Sequence, residues 1–396
     1  MRNKIFSLIL VILLLAGCGI IFKEQNKVSV AEKRFLKNKN DIEISNRLSK
    51  TTEEVLKDQF YYRDDIINTY YTLKVIVSRA FNPATTYSTI LGDISLRYLS
   101  EEVSELDGGY LIPEVPEYSE DVIDSAASRG YNVREFALKY PKIKTYVYYP
   151  TRVEEFLNPN HLSETLTRDA HKAQLVDIES DYLKLNSLSD YKNYFFKTED
   201  HWNAFGAYQG YQDVINMMSN NFNIDKPREI DEIINYPYKF KGNISTKIGS
   251  YGSYDNIVDL KLNGIGDFDY YRDEELYDYY FEKETYQKEG NLSFLSDYEF
   301  YFGANAFNRV FDFHQEDKPN LLIFGDSYIN TNMMWIASHF NKTYILDLRS
   351  KPEDFSLKAY IKDKDIDAAL VLMSYNTMYL NGYMYIPLDW YNDIRG

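Results

Sequence analysis

Short apolar runs separated by helical patterns fill the last third of the chain. The runs cover 320–324, 343–348 and 368–373, and the intervening patterns predict helices over 330–340 and 352–361. Continuous apolar strands that alternate with helices are typical of a parallel sheet buried on both faces. The pattern therefore predicts an α/β fold that ends in a βαβαβ unit.

Earlier segments add helices and strands. Apolar residues at four- and seven-residue spacings between 45 and 67 predict an outer helix, and 122–140 predicts a second helix. A Gly108-Gly109 turn predicts a hairpin, because paired glycines favour tight turns. Alternation rich in Tyr and Val predicts a strand over 142–149, and the apolar run 175–178 predicts a shorter one.

The middle of the chain changes character. Asn203 is a good N-cap for a helix over 204–218, so His201 is expected just ahead of a helix N-terminus. Residues 222–311 are rich in Tyr, Asp, Gly and Asn and show no long amphipathic pattern. We predict that they form an irregular, partly antiparallel insertion.

The N-terminus has the pattern of a secretory signal. Arg2 and Lys4 precede an apolar run over 5–15, and Leu-Ala-Gly-Cys follows at 15–18. This ending is similar to the bacterial lipoprotein cleavage box, in which Cys18 would carry lipid. The alternative is an uncleaved signal-anchor helix.

Either alternative places the remaining chain outside the cytoplasm, attached to a membrane. We predict a signal peptide over 1–18, a polar tether over 19–46 and a catalytic domain over 47–396. Cys18 is the only cysteine in the sequence, so no internal disulfide can form.

Composition narrows the function. The net charge is −16 and the pI is about 4.9, which argues against nucleic acid as a partner because binding it requires a basic face. Tyr occurs 38 times. Most of these rings are expected on half-exposed strands, although some could stack on sugars.

Two short motifs carry the candidate chemistry. Gly325-Asp326-Ser327 ends a predicted strand, and Thr198-Glu199-Asp200-His201-Trp202 lies far upstream. Alone, the first fits an ordinary strand-to-helix turn, and His201 fits a structural histidine. Together they supply a nucleophile, a base and an orienting acid, which is what acyl transfer requires.

Other residues fall at the same edge of the predicted sheet. Ser327, Arg349 and Asn376 each follow a predicted strand, and the carboxyl ends of parallel strands form one rim where ligands bind. No His or Cys cluster has metal-ligand spacing, and no Gly-rich phosphate loop occurs. We therefore predict neither a metal nor a cofactor.

These motifs resemble the SGNH hydrolase superfamily. The order of His before Ser is similar to its circularly permuted branch, which contains the alginate O-acetyltransferases AlgJ and AlgX, and the DHHW family resembles the chain most. The motifs that carry the resemblance are Asp58-Gln59-Phe60 with Arg63, the Thr198–Trp202 loop with Gly206-Ala207, Phe302-Gly303-Ala304-Asn305, Asp326-Ser327-Tyr328 and Asp347-Leu348-Arg349.

The resemblance implies a role for each site residue. Ser327 would be the nucleophile and His201 its base, with Arg349 or Asn376 helping to hold the oxyanion. The family's acid position holds Glu199 here, and Asp200 replaces a histidine, so either residue could be the acid. Trp202 could stack on a sugar or belong to the core.

The resemblance also implies a function. The chain would be an extracytoplasmic O-acetyltransferase that acetylates a cell-surface polysaccharide through an acyl-serine, with acetyl groups supplied by a membrane-bound O-acyltransferase partner. A carbohydrate acetylesterase with the same triad and a non-catalytic polysaccharide-binding scaffold are the alternatives.

Overall fold

The structure is a computed structural model. It describes residues 28–29, 34–37, 53–55, 57–59, 62–89, 91–113, 120–151, 168–249, 254–280, 301, 306–374 and 386–388. The predicted signal peptide, with Cys18, and Asn376 lie outside the described residues.

Helices and strands contribute similar shares of the regular structure in these residues. The strands are β1 (Val28–Ser29), β2 (Arg34–Phe35), β3 (Thr85–Thr89), β4 (Gly92–Ser100), β5 (Val103–Leu106), β6 (Tyr110–Pro113), β7 (Lys144–Tyr149), β8 (Glu179–Tyr182), β9 (Ile230–Phe240), β10 (Asp255–Leu262), β11 (Asp269–Arg272), β12 (Glu275–Tyr277), β13 (Asn308–Asp312), β14 (Leu321–Gly325), β15 (Lys342–Leu346) and β16 (Ala368–Leu372). The helices are α1 (Arg63–Phe81), α2 (Glu120–Lys139), α3 (Leu188–Tyr194), α4 (Ala204–Met218), α5 (Asn243–Thr246), α6 (Met333–Ala337) and α7 (Leu357–Ile361).

The largest sheet has the strand order β12-β11-β13-β15-β14-β16-β7-β8. Strands β15, β14, β16, β7 and β8 are parallel, and β13, β11 and β12 continue the sheet with antiparallel pairing. Helices α4 and α6 cover one face, while α2 and α7 cover the other. This confirms the predicted class, an α/β fold with an SGNH-like parallel sheet flanked by helices.

The central strands are apolar because both of their faces are covered. Every residue of β14 and of β16 is buried. The side chains of β14 alternate between the two clusters that cover the sheet, with Leu321 and Ile323 in one and Leu322 and Phe324 in the other. Two-sided burial explains why these strands read as continuous hydrophobic runs rather than alternating ones.

Four element predictions need correction. The outer helix was expected between 45 and 67, whereas α1 begins at Arg63 and ends at Phe81. The strand expected over 175–178 is absent there and follows instead at β8, because Asp177 has a left-handed φ of 62° and Val176 is exposed. The helix expected over 330–340 is a 3₁₀ helix over Ser327–Thr331 followed by α6. The helix expected over 352–361 is only α7, which starts after the Ser356 cap.

Besides the two-stranded β1–β2 sheet, the described residues form two smaller sheets next to the main one. Strands β3 to β6 form an antiparallel meander that includes the predicted hairpin at Gly108-Gly109. Strands β9 and β10 form an antiparallel ribbon, and the segment between them contains α5. The ribbon matters for the site because this segment packs against the residues around Glu199.

A short hairpin, β1–β2, lies within the predicted tether and contacts the folded body. The Ser29 hydroxyl donates to the Asp64 carboxylate at 2.6 Å. The Lys37 backbone N–H donates to the Asp58 carboxylate at 2.9 Å, and the Gln59 side chain donates to the Lys37 carbonyl at 2.8 Å. Strand β1 is thus attached to the start of α1, and Lys37 is attached to Asp58 and Gln59 just before it. The boundaries proposed for the tether and for the domain stay predictions.

Among the described residues, no helix is both long enough and apolar enough to cross a bilayer.

Candidate active site

Ser327 begins the turn that follows β14. Asp326 caps the 3₁₀ helix, because one of its carboxylate oxygens accepts the Tyr328 backbone N–H at 2.9 Å. The other oxygen accepts the Ser374 backbone N–H at 2.8 Å. The Asp side chain therefore ties the turn after β14 to the turn after β16. This fixes Ser327 at the carboxyl rim of the sheet.

His201 lies in a tight loop between α3 and α4. Phe195 and Trp202 form an isolated antiparallel bridge that closes this loop. Asn203 caps α4, because its side-chain oxygen accepts the backbone N–H groups of Phe205 and Gly206. The cap predicted from the sequence is confirmed. Together the bridge and the cap give the imidazole a defined starting position.

Ser327, His201 and Glu199 form one hydrogen-bonded chain. Nε2 of His201 lies 2.8 Å from the Ser327 hydroxyl oxygen, and Nδ1 lies 2.8 Å from Oε1 of Glu199. His201 and Glu199 are buried, whereas Ser327 is partly exposed. The protonation that fits this order has Nδ1–H donating to Glu199 and Nε2 accepting from Ser327. A serine held this way can lose its proton to the imidazole as it attacks a carbonyl carbon.

Glu199 is held by the segment that joins β9 to β10. The Asn243 backbone N–H donates to Oε2 at 2.6 Å, and the Asn243 side-chain amide donates to Oε1 at 3.2 Å. With His201, three donors surround the carboxylate. Such donors favour the ionised acid and restrict its rotation.

Gly242 brings this segment into direct contact with the backbone of Glu199. A Cβ atom at Gly242 would lie 2.4 Å from both Cα and Cβ of Glu199. The contact is locked by Thr198, whose hydroxyl accepts the Gly242 N–H at 2.7 Å and donates to Asp255 at 2.5 Å. Asp255 also accepts the backbone N–H groups of Thr198 and Lys197. A residue on β10 thus fixes the loop that carries the acid.

Tyr328 joins the serine turn to the histidine loop. Its ring lies 4.9 Å from the His201 ring, centroid to centroid, and its hydroxyl donates to the Asp200 carbonyl. Its own carbonyl accepts the Trp202 indole N–H at 3.0 Å. These contacts connect Ser327 and His201, although the two residues are 126 positions apart in the sequence.

The electrostatics of the pair depend on a second carboxylate. Asp200 lies 3.4 Å from Nδ1 of His201 and is about a third exposed. Burial acts to lower the pKa of His201, but the charges and hydrogen bonds of Asp200 and Glu199 outweigh it and raise that pKa to about 9. Burial raises the pKa of Glu199, and Asp200 raises it further. The donors from Asn243 favour the arrangement with the shared proton on the imidazole.

If His201 is the base for Ser327, acyl turnover should rise with pH as the imidazolium loses its proton. The pKa of His201 is about 9, so at lower pH the imidazole is mostly protonated and cannot accept the Ser327 proton. We expect Asp200→Asn to move the inflection of kcat/KM about one pH unit toward neutral pH. The variant removes the Asp200 charge, which is the second closest to Nδ1 and is exceeded only by that of Glu199. The measurement is the pH–rate profile of acetyl-ester turnover. An unmoved inflection would exclude Asp200 as the residue that raises the pKa.

The structure separates the remaining site candidates. The Arg349 guanidinium is paired with Asp347 in a two-point contact at 2.6 and 2.9 Å and makes no hydrogen bond to Ser327. Trp202 has no exposed surface, so its ring cannot stack on a sugar. It belongs to the core, which was the alternative interpretation of the sequence. Glu199 makes the shorter contact with His201, and Asp200 the longer one.

Glu199, Asp200 and His201 also place three possible metal-ligand atoms within 4.8 Å of one another. Both His201 nitrogens are already engaged, one with Glu199 and one with Ser327. A cation that bound through His201 would have to displace one of these hydrogen bonds.

Sequence reasoning missed three residues that hold Glu199: Gly242, Asn243 and Asp255. They lie 43 to 56 positions downstream, in the stretch assigned to an irregular insertion. The only local signal was the Gly242-Asn243 pair, which is also common in ordinary turns. No periodicity marks a contact between two loops.

The fold and the site together define a class, an SGNH-like α/β protein with a Ser-His-Glu chain at the carboxyl rim of its sheet. No family model and no curated protein matches the sequence. Solved structures do match, and one of them is of a DHHW family protein.

One similar structure is that of Bacillus cereus PatB1 with a sulfonyl adduct, which is 18% identical and has a TM-score of 0.56. The match covers 72% of this chain and 99% of that one. Another is a DHHW family protein from Eubacterium siraeum, 15% identical with a TM-score of 0.53, over 74% of this chain and 95% of that one. The resemblance to the DHHW family is thereby confirmed at the level of the fold.

Proposed function

We propose that this chain is an extracytoplasmic serine-dependent O-acetyltransferase that acetylates a cell-surface polysaccharide. The observation that carries the proposal is the hydrogen-bonded chain Ser327–His201–Glu199, with 2.8 Å between partners at each step. A buried carboxylate that orients a histidine toward a partly exposed serine is the arrangement of an acyl-transfer site. The fold shared with PatB1 and a DHHW family protein supports it.

The proposed reaction has two displacements. His201 accepts the Ser327 proton while the serine oxygen attacks the carbonyl carbon of an acetyl donor. The leaving group departs with that proton, and an acetyl-serine remains. His201 then takes a proton from a sugar hydroxyl while the sugar oxygen attacks the acetyl-serine, and it returns that proton to the departing Ser327 oxygen. Glu199 keeps Nδ1 protonated throughout, so Nε2 faces the reacting atoms.

The source of the acetyl group follows from the location. A transferase outside the cytoplasm requires an activated donor carried across the membrane, so a membrane-bound O-acyltransferase is the proposed partner. Arg349 and Asn376 stay candidates for oxyanion stabilisation. Arg349 would have to leave Asp347 to take this role.

A nucleophilic Ser327 should form a sulfonyl adduct. We expect an arylsulfonyl fluoride to label the protein once per chain, and peptide mass spectrometry to place the label on Ser327. The PatB1 structure contains a sulfonyl adduct, which supports the choice of probe. Ser327→Ala serves as the unlabelled control. A label on another residue, with Ser327 unmodified in folded protein, would remove the proposed nucleophile.

An acetyl-ester assay with and without an oligosaccharide tests the reaction type. A transferase forms acetylated sugar when the oligosaccharide is present, and less acetate is released to water. If the oligosaccharide leaves the rate of acetate release unchanged and no acetylated sugar forms, the protein is an esterase. Absence of any acyl turnover, with the protein folded, would favour a non-catalytic scaffold.

The proposed lipid anchor has a separate test. Cys18→Ser should prevent lipid attachment and release the protein from membranes, because a single lipid-bearing cysteine is proposed as the attachment point. Fractionation of cells that express the full chain, with metabolic lipid labelling, measures the effect. Retention of the Cys18→Ser variant in membranes would favour the signal-anchor helix instead.

A further inference from the structure

A cleft with a volume of about 810 Å³ lies where β13 and α7 meet. Three half-buried aromatic rings form one continuous wall. The ring centroids of Phe307 and Phe355 are 4.8 Å apart, and those of Phe355 and Tyr360 are 5.6 Å apart. The Tyr360 hydroxyl donates to the Asn308 side chain at 2.7 Å, which fixes its ring. The wall is therefore a preformed apolar surface.

Carboxylates stand at the rim of this cleft. Glu274 and Asp354 line it and are exposed, and neither forms a hydrogen bond or an ion pair with another described residue. Glu274 lies in the turn between β11 and β12 with a left-handed φ of 73°. The cleft's cation, Lys364, lies 3.9 Å from the centroid of the Tyr360 ring. The cleft thus combines aromatic faces with unused hydrogen-bond acceptors.

The cleft and Ser327 share one edge of the main sheet. Asn308 on β13 pairs with Leu346 on β15, and Leu346 pairs with Phe324 on β14. These three residues form a row across adjacent strands, and Ser327 follows Phe324 by three positions. With strands about 4.8 Å apart, the lining begins roughly 10 Å from the strand that carries the nucleophile. Helix α7 covers the sheet face opposite α4, so a polymer that crosses this edge could contact both places at once.

We propose that this cleft binds a sugar segment of the acceptor polysaccharide and selects polymers without negative charge. The proposal rests on the proposed function and adds its substrate class. Aromatic faces pack against the C–H faces of sugar rings, and carboxylates accept strong hydrogen bonds from hydroxyl or ammonium groups. Glu274 and Asp354 would repel uronate or phosphate groups, which excludes anionic polymers.

Binding can be measured without catalysis. Titration calorimetry with the full chain should detect a neutral chito-oligosaccharide and its deacetylated, cationic form, and should detect no binding of an oligogalacturonate. We expect Glu274→Ala and Phe355→Ala each to raise Kd about tenfold or more, because a charge-assisted hydrogen bond or a stacking face is lost. Glu353→Ala is the matched control, since Glu353 is an exposed acid next to Asp354 that does not line the cleft.

Transfer assays with the same variants connect the cleft to the reaction. The ratio of acetylated sugar to released acetate should fall about tenfold in Glu274→Ala and stay at the wild-type value in Glu353→Ala. Thermal unfolding monitors folding of Phe355→Ala, and exposed Glu274 provides a variant that leaves the core intact.

The outcomes separate the two proposals. Oligosaccharide binding that depends on Glu274, without any acyl turnover, would retain the cleft and overturn the proposed function. Acyl turnover with oligosaccharide binding that neither variant changes would overturn the cleft alone. Binding of oligogalacturonate as tight as that of the neutral sugar would overturn the proposed selectivity.

Discussion

Glu199→Gln should lower kcat for acetyl-ester turnover about 10⁴-fold, the size of effect seen when a triad acid becomes an amide. Asn243 explains why the amide cannot substitute. Its backbone N–H donates to Oε2 of Glu199 at 2.6 Å. The side-chain oxygen of the substituted Gln is therefore expected to accept this N–H, and its NH₂ group is expected to face Nδ1 of His201. Nδ1 must then accept a hydrogen bond, which places the ring proton on Nε2. An imidazole in that tautomer cannot accept the Ser327 proton.

The matched comparison is Asp200→Asn. Asp200 contacts the same imidazole nitrogen at 3.4 Å rather than 2.8 Å, and its side chain is about a third exposed. We expect Asp200→Asn to retain turnover and to change mainly its pH dependence. Steady-state kinetics of both variants across pH give the comparison. A large loss of kcat in Asp200→Asn, with Glu199→Gln close to wild type, would reverse the assignment of the acid.

Gly242→Ala should damage both folding and activity. The added Cβ would lie 2.4 Å from two carbons of Glu199 and 2.5 Å from its backbone nitrogen, and none of these atoms is the end of a flexible side chain. Forced contacts of this kind cost about 1–3 kcal/mol of the free energy of unfolding. Movement of the Glu199 backbone by about 1 Å would also misalign His201, which can reduce turnover about 10²-fold.

Gly266→Ala is the control for this prediction. A Cβ at Gly266 meets no atom within 4 Å, so the variant should unfold and turn over acetyl ester as the wild type does. Chemical denaturation and initial rates test the pair. Equal stability and activity in Gly242→Ala and Gly266→Ala would mean that the segment before α5 does not support Glu199.

The parallel strands were predictable because burial on both faces leaves a local signature. Leu321–Gly325 and Ala368–Leu372 consist almost entirely of apolar residues, and their positions were predicted to within one or two residues. The helix over Ala204–Met218 was predicted because Asn203 supplies a cap and the apolar pattern continues behind it. The 3₁₀ helix over Ser327–Thr331 was not predicted. Over so few residues its three-residue period cannot be distinguished from the 3.6-residue period of an α-helix.

The candidate site was only partly predictable from the sequence, for a different reason. Ser327 and His201 were predicted because each lies in a short motif. A serine nucleophile with a histidine base needs an acid nearby, so Glu199 or Asp200 was predicted as that acid. The choice between them depends on Asn243, and the support of the loop depends on Asp255. These contacts join segments more than forty residues apart and leave no mark on local spacing. The cleft is likewise assembled from β13, the β11–β12 turn and α7, which no single motif encodes.

The contact of β1 with the start of α1 would limit how far a lipid-anchored form of this protein could extend from a membrane. If Cys18 carries the lipid, only the ten residues 19–28 separate the anchor from a segment bound to α1. A fully extended chain of that length reaches about 35 Å at most. A tether running to residue 46 would reach nearly three times as far. The proposed enzyme would therefore work close to the bilayer surface, within reach of a donor that emerges from the membrane.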